Sequence, residues 1–302
     1  MAALVNPGTI VHSGRRMLRL SLLLFFLAQA DVRITPPELR IEGPAELAAA
    51  RTRLESFDTN RLVDVMSLVG LHNPGPAIHI ELATNSSEWA STVPTWVAGF
   101  ALDQSSRVVI FPARSPSYPD SSMDDVLRHE VAHILISRAS SGRRIPRWFN
   151  EGLAMSAEHG WRFRDQSQLF YQLVSGSRES LDALDRLFQG TQDDQNRAYL
   201  LSGALVRQLL SNHGQTTGGR ILEKIARGAS FEAAFSDVTG RSPATADTEF
   251  WNSQRVWTTW LPILFSQEVL WMAVTVLALL AIRQRRRRNA EMQKKWDEEE
   301  NI

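Results

Sequence analysis

His129 and His133 stand four positions apart in the run His129-Glu130-Val131-Ala132-His133, and no other feature restricts the possible folds as much. At 3.6 residues per turn, two histidines four apart project from one face of an α-helix and can grip a single metal ion. Glu130 lies one step round that helix, close enough to reach a water held at the metal without being forced into the coordination shell. Its expected role is general base, taking a proton from the water as it attacks a carbonyl. The chain contains no cysteine, which excludes disulfides, thiolate metal sites and cysteine nucleophiles and leaves nitrogen and oxygen as the metal ligands.

Two histidines do not complete a catalytic zinc site, which usually has three protein ligands and one open position for water. A third histidine six residues after the second, with glycine midway, is excluded because Ile136 and Ala139 occupy those positions. The third ligand must come from another element. Glu151 lies eighteen positions past His133, in Trp148-Phe149-Asn150-Glu151-Gly152-Leu153-Ala154, at the start of a helix entered through Pro146. Two helices facing each other could close the site around one Zn2+ ion.

The histidine helix is expected to open at Ser121 or Ser122, with Asp124 and Asp125 completing a capping arrangement, and to run to about Arg138. Upstream, residues 45–69 carry apolar side chains at helical spacing. Residues 77–83 alternate as a strand, and 95–102 and 107–111 flank a polar turn at 103–106, so a small twisted sheet is expected. In that alternation His79 reads as solvent-facing. Downstream the pattern predicts helices over 146–159, 182–188, 196–212, 219–227, 231–238 and 244–260. A sheet-bearing half followed by a mainly helical half is an α+β arrangement.

With Asn150-Glu151-Gly152-Leu153-Ala154 behind it, the His129 to His133 segment resembles the gluzincin metallopeptidases, whose third ligand is a glutamate in such a stretch. It most resembles the peptidase-MA-like group, distant relatives of the M1 aminopeptidases. Tyr199-Leu200-Leu201-Ser202-Gly203, Ala233-Ala234-Phe235 and Gly240 extend the likeness, which covers roughly residues 78–251. The resemblance implies a zincin-like fold with its site in a cleft between two lobes, metal ligands His129, His133 and Glu151, and a protein or peptide substrate. It also implies Tyr199 as the donor to the developing oxyanion, with a core tyrosine as the alternative, and 108–111 as the edge strand that receives substrate, with an ordinary core strand as the alternative. No Gly-Ala-Met-Glu-Asn motif occurs, which favours an endopeptidase over an amino-terminal exopeptidase. Glu158 and His159 are candidates to support the ligands, the alternative being a solvated helix end. The competing functional reading is a catalytically inactive zincin-fold binding module tethered to a membrane.

The two ends of the chain suggest that tether. Arg15, Arg16 and Arg19 precede an apolar run that ends in Ala28-Gln29-Ala30, so 1–30 is expected to be a signal peptide, or else an uncleaved anchor. Residues 261–282 are mostly apolar and are followed at once by Arg283 and Arg285 to Arg288, as in a transmembrane helix with a cytoplasmic charged tail over 283–302. A buried amphipathic helix is the alternative. The expected arrangement is a peptidase domain over 31–260 outside the cytoplasm on a single-pass anchor. With 33 basic and 33 acidic residues the chain carries no net charge that would recommend nucleic acid as a partner, and nothing in it sets an oligomeric state.

Overall fold

The computed structural model describes residues 34–157, 163–175, 178–264 and 267–299. The expected signal over 1–30 lies outside these residues, as do Glu158 and His159. The chain begins with strand β1 (Leu39–Glu42), followed by helices α1 (Ala48–Glu55) and α2 (Arg61–Val69) and strand β2 (Ile78–Leu82). The single helical stretch expected over 45–69 is broken between α1 and α2. Ser56 Oγ donates back to the Arg53 carbonyl at 2.6 Å and Asp58 Oδ1 accepts from the Asn60 amide at 3.0 Å, offering the backbone partners outside the helical ladder.

Strands β3 (Gly99–Leu102) and β4 (Arg107–Ile110) form a hairpin about the polar turn read from the sequence. The sheet order is β1-β2-β4-β3. β1 and β4 run parallel to β2, and β3 runs antiparallel to β4 with Gly99 opposite Ile110 and Leu102 opposite Arg107. A parallel pair needs a long crossover, and α1 with α2 supplies it between β1 and β2. In β2 the side chains of Ile78, Ile80 and Leu82 are buried while His79 is exposed, as the alternation implied.

Helix α3 (Met123–Ala139) carries the two histidines. Ser122 caps it by accepting from the Asp125 amide at 3.1 Å. Residues Asp125 to Ala132 are buried without interruption, because the helix lies between the sheet on one side and other helices on the rest. Gly99 makes this possible on the sheet side: a Cβ there would sit 2.6 Å from Val126 Cγ1 and 3.4 Å from Glu130 Cγ. The core joins Leu62, Val65 and Met66 of α2, Ile78 and Ile80 of β2, and Leu127, Val131, Ile134 and Leu135 of α3.

The remainder is helical: α4 (Arg147–Ser156), α5 (Phe163–Ser175), α6 (Leu181–Leu187), α7 (Gln192–His213), α8 (Thr217–Ala226), α9 (Phe231–Thr239), α10 (Pro243–Leu264) and α11 (Gln267–Glu299). The sequence reading did not anticipate α5. α7 starts four residues before its expected position at 196, because Thr191 and Asp194 form a capping box there. Asp194 Oδ2 accepts from the Thr191 amide at 2.9 Å, and Thr191 Oγ1 accepts from the Asp194 amide at 3.3 Å.

The expected transmembrane helix over 261–282 is not supported. No helix among the described residues is long and apolar enough to cross a membrane. The range straddles the end of α10 and the start of α11, with 265–266 outside the described residues. α11 continues as one helix through the arginines of the expected tail. Its apolar part, 269–282, is 14 residues. That run rises ~21 Å, against a hydrocarbon core of ~30 Å.

Candidate metal centre

Three helices supply the site. α3 brings His129, Glu130 and His133, α4 brings Asn150 and Glu151, and α7 brings Tyr199. The start of α4 is pinned where the Trp148 amide donates to Asp185 Oδ1 of α6 at 3.0 Å, a carboxylate placed at a helix N-terminus. The middle of α4 is drawn against α7 by Gly152. A Cβ at that position would lie 2.4 Å from Val206 Cγ2 and 2.6 Å from the Ser202 carbonyl oxygen.

Glu151 Oε2 lies 3.4 Å from His129 Nε2 and 3.3 Å from His133 Nε2. Ligand atoms from the three side chains all fall within 4.8 Å of one another. Two ligands each ~2.0–2.1 Å from a tetrahedral zinc ion stand ~3.3 Å apart, so both contacts to the carboxylate have the spacing of a shared cation. The chemistry of the set agrees with that spacing: two imidazole nitrogens and one carboxylate oxygen suit zinc. Glu151 Oε2 is buried and makes no well-formed hydrogen bond, which is costly for a carboxylate unless a cation satisfies it.

Neighbouring groups orient the ligands. His133 Nδ1 lies 2.9 Å from Asn150 Oδ1. A carbonyl oxygen only accepts, so Nδ1 carries the proton and Nε2 is left with its lone pair toward Glu151. Arg147 holds the other carboxylate oxygen, with its Nε 3.3 Å from Glu151 Oε1. The same guanidinium stacks over the Phe188 ring, 4.6 Å from its centroid. The sequence reading passed over both supports, although Arg147 and Glu151 stand at the i, i+4 spacing of facing helical residues and Asn150 is the direct neighbour of the ligand.

The charges divide as a hydrolytic site requires. Burial pushes Glu130 up from the ordinary carboxylate range, the His133 and His129 imidazoles oppose that, and Glu151 and Asp103 add to it. Burial would also raise Glu151, but the His133 charge and the close approach of both imidazoles outweigh it and hold this carboxyl far below its usual range. Burial alone would lower His133, but the nearby Glu151 carboxylate together with the Glu130 charge outweighs it and the imidazole is raised. The two neighbouring carboxyls are thus pushed in opposite directions, Glu151 toward the ionised form and Glu130 toward holding a proton. Asp103, in the turn after β3, is a further acid that the sequence reading did not single out. Burial pushes it up, against the His133 charge and together with that of Glu151.

Tyr199 is brought to the site, its ring packing edge-on against His129 at 6.2 Å between centroids and against Phe188 at 5.1 Å. Burial and then the Glu151 charge push its hydroxyl well above the usual value, so it stays protonated as a donor. The expected substrate strand, by contrast, is misplaced. β4 lies between β2 and β3 with both edges paired, and the free edges belong to β1 and to β3, the strand of the hairpin next to the histidine helix. The hairpin turn reverses the chain, and the outer position goes to the strand that comes first. His72 and His213 lie outside the metal-binding cluster.

A buried two-histidine, one-glutamate cluster with a second glutamate beside it is what a metallopeptidase requires, and residues 62–260 match the family model of the Peptidase MA superfamily. No curated protein matches the chain. Since the matched region spans most of the described fold and contains every residue of the metal cluster, the chain belongs to the Peptidase MA superfamily.

Proposed function

We propose that the protein is a zinc-dependent endopeptidase of the gluzincin type, with Glu130 as general base and Tyr199 as the oxyanion donor. The observation that carries this reading is the convergence of His129, His133 and Glu151, with the Glu151 oxygen 3.3–3.4 Å from both Nε2 atoms. His129, His133 and Glu151 hold the metal, which when bound polarises a carbonyl and makes water easier to deprotonate. Glu130, raised by burial, accepts the proton of the attacking water and returns it to the leaving amine. Tyr199, still protonated beside His129, donates a hydrogen bond to the oxygen that becomes negative. Extended substrate adds to the free edge of β3, where main-chain hydrogen bonds align it past Glu130. The missing Gly-Ala-Met-Glu-Asn motif favours cleavage of internal bonds.

The test is elemental analysis and peptide hydrolysis on the same preparation. The wild-type chain is expected to hold one zinc per chain, and Glu130→Gln to keep it while losing about 10²- to 10⁴-fold in kcat. Unchanged turnover in Glu130→Gln, or no bound metal in the wild type, would sink the mechanism.

We also propose that the chain is held at a lipid membrane surface through 269–282. The support is the exposure of that stretch: Leu270, Trp271, Leu277 and Leu280 are 53%, 64%, 66% and 55% exposed, and the arginines follow directly.

A further inference from the structure

A cavity of about 60 Å³ opens beside Glu130. Its walls are the stretch 96–99 leading into β3, the loop 117–120, and one face of α7. The α7 wall consists of Gln192, Gln195, Asn196 and Tyr199, whose offsets of three, four and seven put them on a single stripe. Tyr199 marks the metal end of the stripe by its contact with His129. Every residue of the stripe beyond it is an amide. Gln195 Nε2 reaches the Gly190 carbonyl only at 3.4 Å. Among the described residues the amides of Gln192 and Asn196 make no hydrogen bond.

We propose that this cavity is the substrate side-chain subsite next to the scissile bond, and that Gln195 and Asn196 make it select a short, uncharged polar side chain: serine, threonine, asparagine or glutamine. The proposal rests on the peptidase reading in one respect, that Glu130 in the wall marks where the reacting carbonyl lies. Each amide offers both donors and an acceptor, so a hydroxyl or amide on the substrate replaces the water it displaces. A methyl-bearing side chain would strip that water and return nothing, the asymmetry that lets hydrogen-bonding pockets discriminate strongly. Size narrows the choice further. At roughly 10–15 Å³ per water on this measure, the cavity takes roughly four to six heavy atoms. That admits any of the four side chains, and it excludes the arginine that Asp120, also in the wall, would otherwise favour.

The experiment uses the full-length, zinc-loaded chain in detergent. A peptide library should show about tenfold or greater preference for the polar set over leucine at one position flanking the cut. Gln195→Leu and Asn196→Leu should each weaken the preference and together invert it, with thermal unfolding verifying that the variants fold. A wild-type preference for leucine, phenylalanine or a basic residue overturns the proposal, as does an unchanged profile in the double variant. Binding supplies a separate readout on the full-length Glu130→Gln chain. Capped peptides that differ only by asparagine or leucine should differ about tenfold in Kd, and equal affinities overturn the proposal. A chain that cleaves no peptide would defeat the peptidase reading, while this binding ratio would still decide the subsite.

Discussion

Four ionisable side chains, His129, Glu130, His133 and Glu151, occupy a buried site, which folding alone would not favour. The arrangement is stable because each charge has a partner and a cation can take the rest. Asn150 is the least conspicuous member of this set, yet it determines which nitrogen of His133 faces the metal. Asn150→Ala should weaken zinc binding about 10- to 100-fold in a chelator competition while leaving the fold intact. The proton and the metal compete for the same imidazole. In the metal-free chain the raised His133 contributes stability that is fully present below the ordinary imidazole value of 6.5 and is lost as pH rises through its raised value. The depressed Glu151 works in the opposite sense, its contribution present above the ordinary carboxylate value and lost only in strong acid. Zinc affinity should therefore climb as pH rises from 6 toward 8, with protons released on binding, and calorimetry in buffers of different ionisation enthalpy reads that release. An affinity independent of pH would contradict the His133–Glu151 pairing.

Helices α3, α4 and α7 converge at this site because glycine lets them approach. Gly99 admits α3 to the sheet, and Gly152 admits α4 to α7. At Gly152 the obstruction to a side chain includes the Ser202 carbonyl, which is backbone and cannot rotate aside. Gly152→Ala should cost about 1–3 kcal/mol or more in denaturant unfolding and displace Glu151 enough to lose zinc. At Gly99 the severe contact is with the Val126 side chain, the Val109 carbonyl oxygen standing at 3.3 Å, so Gly99→Ala should cost less and keep the metal. Periodicity revealed most of these elements, including the capped start of α3 and the hairpin turn at 103–106. It missed the break within 45–69, where short polar side chains divert the backbone, and it missed α5. The edge strand implied by the resemblance at 108–111 is internal instead, since a strand's own residues do not state which neighbour leaves it exposed.

The molecule as a whole sets a mixed four-stranded sheet against a larger helical part, with α3 between them and the cavity by Glu130 at their junction. Metal that binds only the folded chain links the site to global stability. At zinc a hundredfold above its Kd, the gain should be about 2.7 kcal/mol, seen as a fall in Tm when a chelator is added. The apolar run on α11 is predicted to carry the chain to lipid. Leu277→Asp with Leu280→Asp should abolish flotation with liposomes and leave peptide hydrolysis unchanged, and flotation that persists would refute the tether.

By itself the sequence determined the chemistry: a helix with histidines four apart, a carboxylate between them, and a glutamate downstream in a second helical start can be recognised from local spacing alone. Only the tertiary structure decided how that chemistry is held and aimed. The Asn150 contact to His133, the free edge on β3 and the amide-lined cavity arise where separate elements meet, and contact across such distances leaves no periodic trace along the chain. The same distinction explains the C-terminal apolar run. Hydropathy marks its 14 apolar residues, and the structure adds that they lie in one helix, α11, which runs on through the arginines.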